Sequence, residues 1–96
     1  MEIKNSHYFY VVCCKDATFY AGYAKNVLSR LKEHNDGKGA KYTRPRLPVK
    51  LVHFEEFETR SLAMKQEYAF KQLTRKQKEQ YIEGKREHAH PILPSI

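Results

Sequence analysis

His7-Tyr8-Phe9-Tyr10-Val11-Val12-Cys13-Cys14, then Lys15-Asp16-Ala17, then Thr18-Phe19-Tyr20-Ala21-Gly22-Tyr23, is the stretch that decides the fold. The first run is aromatic and β-branched, which suits a strand buried on both faces. The polar tripeptide after it is a hairpin connection, and Thr18 to Tyr23 is the second strand. Side chains alternate across a strand, so Tyr20 and Gly22 share one face while Phe19, Ala21 and Tyr23 share the other. Gly22 has no side chain, so another group can approach the backbone there.

Working outward, Asn26 is an N-cap for a helix that runs to about His34. Val27, Leu28 and Leu31 form its apolar stripe, with Arg30 and His34 at i, i+4 on the flank. Asn35-Asp36-Gly37 ends it. The Lys38 to Arg46 segment, KGAKYTRPR, is too short and polar for a core element. Pro45 and Pro48 break the chain before a third strand, Val49 to Phe54, and Glu55, Glu56 and Glu58 mark its exit. Thr59 caps a helix of about Arg60 to Leu73. Leu62, Ala63, Gln66, Ala69, Phe70 and Leu73 face inward, and Glu67 sits beside them. Thr74-Arg75-Lys76-Gln77 is a capping-box pattern that starts a third helix, which Gly84 stops. The order β-β-α-β-α-α predicts a small α+β domain over residues 1–84, a three-stranded antiparallel sheet flanked by helices. Residues 85–96, with two prolines, read as a flexible tail.

A chain of 96 residues supports one domain, burying roughly 60–65% of the surface its unfolded form exposes. Hydrophobic residues make up 41%, which excludes a compositionally disordered chain. No run approaches the ~20 apolar residues of a membrane span. The apolar run in MEIKNSHYFYVVCC is short and lacks a cleavage-like region, so no signal peptide is expected. Cys13 and Cys14 are adjacent and point to opposite faces, so they are poorly placed to bridge each other. Two reduced cysteines fit a cytoplasmic protein. The net charge is +7, and the excess is concentrated: between Lys25 and Lys50 eight Lys or Arg stand against Glu33 and Asp36. A local excess of this kind is a surface for a polyanion, nucleic acid above all, although a merely solvated basic face is the plainer alternative.

At this point the ordered residues resemble a GIY-YIG nuclease domain. Tyr8-Phe9-Tyr10 stands where that family's first half-motif belongs and Tyr20-Ala21-Gly22 where its second does. Arg30 sits at the helix arginine, His34 follows four residues on, and Glu67 fits the glutamate of the later helix. The likeness covers about residues 7 to 83. The run HNDGKGAKYTR, His34 to Arg44, is similar to the small stand-alone bacterial branch, the YhbQ-like and YazA-like proteins, which is itself similar to the nuclease domain of Slx-type structure-specific endonucleases. Tyr8 replaces the family's first glycine, and no clear counterpart of an asparagine found on a later helix in many members is present.

The resemblance implies hydrolysis of DNA phosphodiester bonds with one divalent metal, Mg2+ or Mn2+, with structure-specific cutting and a place in repair or recombination as its finer implication. Tyr10 and Tyr20 are phenols that accept or relay a water proton if nearby cations lower a pKa of about 10. A core aromatic is an equal reading for Tyr10. Arg30 forks onto phosphate oxygens and steadies charge in the transition state. His34 serves as base, relay or phosphate ligand, or is simply a histidine favoured at a helix end. Glu67 completes a metal shell with waters and phosphate oxygens; otherwise it pairs with Lys71. Lys25, Lys38, Lys41, Tyr42, Thr43, Arg44 and Arg46 are the expected nucleic-acid contacts, with Tyr42 able to stack on a base. His88-Ala89-His90 lies in a Pro-flanked tail without partners and reads as no site. The alternative is a non-catalytic nucleic-acid-binding or protein-interaction module of a repair complex, or a nuclease whose specificity a protein partner supplies.

Overall fold

The central strand is the one whose sequence is apolar in both registers. In the computed structural model, which describes residues 7–86, the elements run β1 (His7–Cys13), β2 (Phe19–Ala24), α1 (Val27–Asn35), a 3-10 turn (Arg44–Arg46), β3 (Lys50–Phe57), α2 (Arg60–Lys71) and α3 (Arg75–Arg86). The three strands form one sheet in the order β2-β1-β3, antiparallel throughout. With a neighbour on each side and a core on each face, β1 holds Phe9, Tyr10, Val11 and Val12 at 1% exposure or less. The expected α+β architecture is the one observed.

The alternation along β1 divides the interior in two. Tyr10, Val12 and Cys14 pack with Ala24, Val49 and Leu51 under Val27 and Leu31 of α1. Phe9 and Val11 pack with Ala21 against Phe70 of α2 and Ile82 of α3. Each large apolar side chain buried in this way contributes about 1.5–3 kcal/mol, so the sheet is fixed from both faces. Register follows: Tyr10 lies opposite Gly22 on one side and Phe54 on the other.

The helix starts are the expected ones. The Ser29 amide donates to Asn26 Oδ1 at 2.9 Å and the Leu62 amide to Thr59 Oγ1 at 3.1 Å. At the third helix, the Gln77 amide donates to Thr74 Oγ1 and the Thr74 amide to Gln77 Oε1, the reciprocal pair of a capping box.

Three expectations need correction. β3 continues to Phe57, through Glu55 and Glu56, which were to mark its exit, and only Glu58 lies beyond it. Glu55 stays in the sheet because His53 (2.8 Å) and the Tyr81 hydroxyl of α3 bind its carboxylate. α3 runs through Gly84 to Arg86; one glycine costs a helix only about 0.5–1 kcal/mol. The domain boundary at residue 84 therefore falls inside a helix, and the rest of the tail, His88 and His90 included, lies outside the described residues. The apolar stripes are also narrower than their patterns. Leu28 is 62% and Leu62 43% exposed, and Ala69 is exposed too. The inward face of α1 is instead Val27, Leu31 and the fully buried His34. No helix among the described residues is long and apolar enough to cross a membrane.

Candidate active site

The site is built around two buried polar side chains, Tyr10 and His34, 1% and 0% exposed. β1 directs the Tyr10 ring across β2 at its partner residue Gly22. A Cβ added at Gly22 would lie 2.6 Å from the Tyr10 hydroxyl oxygen, so a glycine is required there. α1 carries His34 into the same interior, and Tyr10 Oη lies 2.8 Å from His34 Nε2. The other ring nitrogen, Nδ1, is 2.9 Å from Thr43 Oγ1, and that hydroxyl is 2.9 Å from the Ala40 carbonyl.

This chain of contacts orders its protons. When Thr43 donates to the Ala40 carbonyl, its oxygen accepts from Nδ1–H, and Nε2 accepts from the Tyr10 hydroxyl. The Ala40 amide, 3.4 Å from Nδ1, serves the opposite tautomer, in which Nε2–H donates to Tyr10. Both tautomers leave the imidazole held at its two nitrogens. Gly39 closes this pocket, since a Cβ there would fall 2.4 Å from Nδ1 and 2.9 Å from the His34 Cα. Gly39→Ala must therefore displace His34 or the loop. A loss of about 1–3 kcal/mol is expected from this overpacking, read as a lower urea midpoint.

Electrostatics set the protonation of the pair. Burial pushes the Tyr10 phenol up to about 12, and the neighbouring Arg30 guanidinium only partly offsets it. Burial, reinforced by Arg30, lowers His34 below its ordinary value. At neutral pH both are uncharged. An acidified Tyr10 is one of the expectations for this site, and its burial reverses it.

Tyr20 differs from Tyr10 in reaching the surface. Its half-buried ring stands edge-on to His34 (centroids 5.5 Å apart) and stacks on Tyr42 at 6.1 Å with 19° between planes. Lys71 Nζ lies 5.9 Å from the Tyr20 ring centroid and 2.8 Å from Glu67 Oε2. Arg30 bonds to Glu33 at 2.7 Å while neighbouring Tyr10. A continuous path of contacts thus joins Arg30, Tyr10, His34, Tyr20, Lys71 and Glu67. It draws on β1, β2, α1 and α2, and Glu67 and Tyr20 both add to the upward pressure on the Tyr10 pKa.

Among the described residues no group of three or more His, Cys, Asp or Glu could hold a metal. Glu67 alone, with its side chain 15% exposed, fits a Mg2+ or Mn2+ ion that keeps several waters and takes the rest of its shell from substrate phosphate.

The expected nucleic-acid residues divide. Lys25, Lys38, Lys41 and Arg44 are exposed, and Tyr42 is 39% exposed. Arg46 is occupied in holding the loop: it binds Asp16 (3.1 Å) and the Tyr42 carbonyl (2.7 Å) and lies over the Tyr42 ring. Thr43 is fully buried and bound to His34; it is not a surface contact. Two cations were missed. Lys71 and Lys78 line a cleft of about 290 Å3 with Phe19, Tyr20, Ala21, Tyr42 and Phe70. The only signal for Lys71 was its i, i+4 spacing from Glu67, which also describes an ordinary solvated face, and Lys78, on the separate helix α3, had none.

The family model for the GIY-YIG catalytic domain matches residues 6–80. A UPF0213 protein of Bacillus licheniformis is 59% identical, over 95% of this chain and 94% of its own. The UPF0213 protein YazA of Bacillus subtilis is 60% identical, over 85% of this chain and 83% of its own. Among solved structures, a solution NMR structure of an Enterococcus faecalis protein is 54% identical, covers all of both chains and gives a TM-score of 0.59. That of a UPF0213 protein from Bacillus halodurans is 47% identical, covers 80% of this chain and 82% of its own, and gives 0.54.

Proposed function

This chain belongs to the GIY-YIG catalytic-domain family, among the UPF0213 proteins, and from that premise we propose that it is an endonuclease hydrolysing DNA phosphodiester bonds with one divalent metal, Mg2+ or Mn2+. The observation that carries the reading is the contact path from Arg30 through Tyr10, His34 and Tyr20 to the Glu67–Lys71 pair. It links a guanidinium, a surface-reaching phenol and a carboxylate through successive contacts that run by way of Tyr10 and His34.

Tyr20 is the group that takes the proton of the attacking water, because its ring reaches the cleft while Tyr10 is sealed. Tyr10 holds a hydrogen bond to His34 and stands beside Arg30, so it orients both without ionising. His34 is too buried to meet a phosphate. It is a positioning residue, fixed by Thr43 on one nitrogen and fixing Tyr10 with the other. Arg30 remains charged and directs its free N–H groups at the phosphate oxygens, where negative charge grows in the transition state. Glu67 would hold the metal, which supplies neutralisation of the leaving oxygen. A cytoplasmic location and a role in DNA repair or recombination, with or without a protein partner that supplies specificity, extend this proposal.

Binding precedes cutting, and its physics is separately testable. If Lys25, Lys38, Lys41 and Arg44 each neutralise a phosphate, log K falls with log salt at a slope of about −3 to −4. Fluorescence anisotropy over a salt series on oligonucleotides of unrelated sequence is expected to show that slope with weak sequence preference. A flat salt response would remove the nucleic-acid reading.

A further inference from the structure

We propose that Lys71 is a phosphate contact held in reserve: it neutralises Glu67 while no metal is bound, and moves onto the nucleic acid when a divalent cation takes that carboxylate. The inference rests on the nuclease reading above. It starts from an asymmetry in the pair. Glu67 Oε2 and Lys71 Nζ are 2.8 Å apart, yet the lysine side chain is 47% exposed against 15% for the glutamate. The carboxylate is the more enclosed member, and the ammonium is the one with room to move. An i, i+4 pair whose cation is open to solvent is weak, so a divalent cation displaces it.

The released ammonium has the cleft beside it. Lys71 lines the cleft beside Tyr20, with its Nζ 5.9 Å from that ring. Among the described residues the others that line the cleft are Phe19, Ala21, Tyr42, Phe70 and Lys78, none of them a carboxylate that could recapture it. Lysine is a compact point charge on a flexible stem, suited to trading one anion for another. The consequence is reciprocal coupling. Metal on Glu67 tightens nucleic-acid binding through Lys71, and bound nucleic acid, by drawing Lys71 away, tightens the metal.

The experiment measures the salt slope of DNA binding by anisotropy, without metal and with Ca2+, a hard cation that takes oxygen ligands. It compares wild type, Lys71→Met and Glu67→Gln; competition between Ca2+ and the counterions of DNA is common to all three. Methionine keeps the stem beside Tyr20, and circular dichroism confirms the fold of each variant. Without metal, wild type and Lys71→Met are expected to share one slope, while Glu67→Gln, whose Lys71 is already free, is steeper by about 0.7–0.9. With Ca2+, wild type steepens past Lys71→Met by the same about 0.7–0.9. A Lys71→Met slope shallower by equal amounts in both conditions makes Lys71 a standing contact and overturns the exchange. Equal slopes for wild type and Lys71→Met in both conditions make it a spectator and overturn it too. Either result leaves the metal site intact. If Ca2+ strengthens binding of Glu67→Gln as much as that of wild type, the metal is not on Glu67, and that metal site falls together with this inference.

Discussion

Glu67→Ala is expected to abolish metal-dependent cleavage while metal-free binding to DNA is retained or slightly tightened. The two effects separate because the carboxylate has two opposite roles. Toward a phosphate alone it is repulsive, so removing it cannot weaken metal-free binding. Toward a divalent cation it is the ligand that the proposed site assigns, since Glu33 is paired with Arg30. Metal neutralisation of a developing oxyanion is worth several kcal/mol, and each 1.4 kcal/mol is about tenfold in rate, so a loss of roughly 10^3-fold or more is expected. Glu67 lies three residues before Phe70, which is buried in the core, so the fold of the variant must be checked by circular dichroism. A well-folded Glu67→Ala that cuts at the wild-type rate would show the assigned metal site to be wrong. Arg30→Ala differs in kind: it removes a positive charge, so cleavage and binding fall together.

Tyr20→Phe is expected to lower kcat by about 10^2–10^4, the usual worth of a positioned proton-transfer group, with little change in stability. Its contacts with His34 and Tyr42 are made by the ring, which phenylalanine keeps. Tyr10→Phe should behave otherwise. It leaves His34 Nε2 buried without its partner, which costs about 1–3 kcal/mol, so stability and rate decline together. Urea denaturation beside single-turnover kinetics distinguishes the two. Were Tyr20→Phe to cut normally, the water-activating role would pass to another group.

The fold was legible because its strongest signals are local. The two-sided apolar run of β1, the hairpin tripeptide and the three caps each act within a few residues, and all appear where expected. What escaped depends on partners far along the chain. Glu55 reads as a polar exit from β3 until Tyr81, on α3, is brought to its carboxylate. Thr43 sits in KYTRPR, between Tyr42 and Arg44 at the surface; only the fold turns it inward onto His34. His34 read as the flank of an apolar stripe because hydropathy ranks it polar. Paired at both nitrogens, it loses that penalty and is buried more fully than Leu28 or Leu31 of the same helix. Gly22 was legible as a point of close approach, while Gly39, which does the same for His34, was hidden in a segment read as a basic loop. Of the candidate site, the residue types were readable. The division between a sealed Tyr10 and a surface-reaching Tyr20 was not, since it depends on which strand is central.

Cleavage itself is the most direct test. Wild-type protein is incubated with single-stranded, nicked, flapped and branched DNA in Mg2+ or Mn2+, with parallel reactions in EDTA and with Glu67→Ala as control. At least one substrate is expected to be cut in a reaction that EDTA stops and Glu67→Ala lacks. Well-folded protein that binds these substrates with the expected salt dependence but cuts none of them in either metal would contradict the nuclease reading and leave a nucleic-acid-binding module in its place.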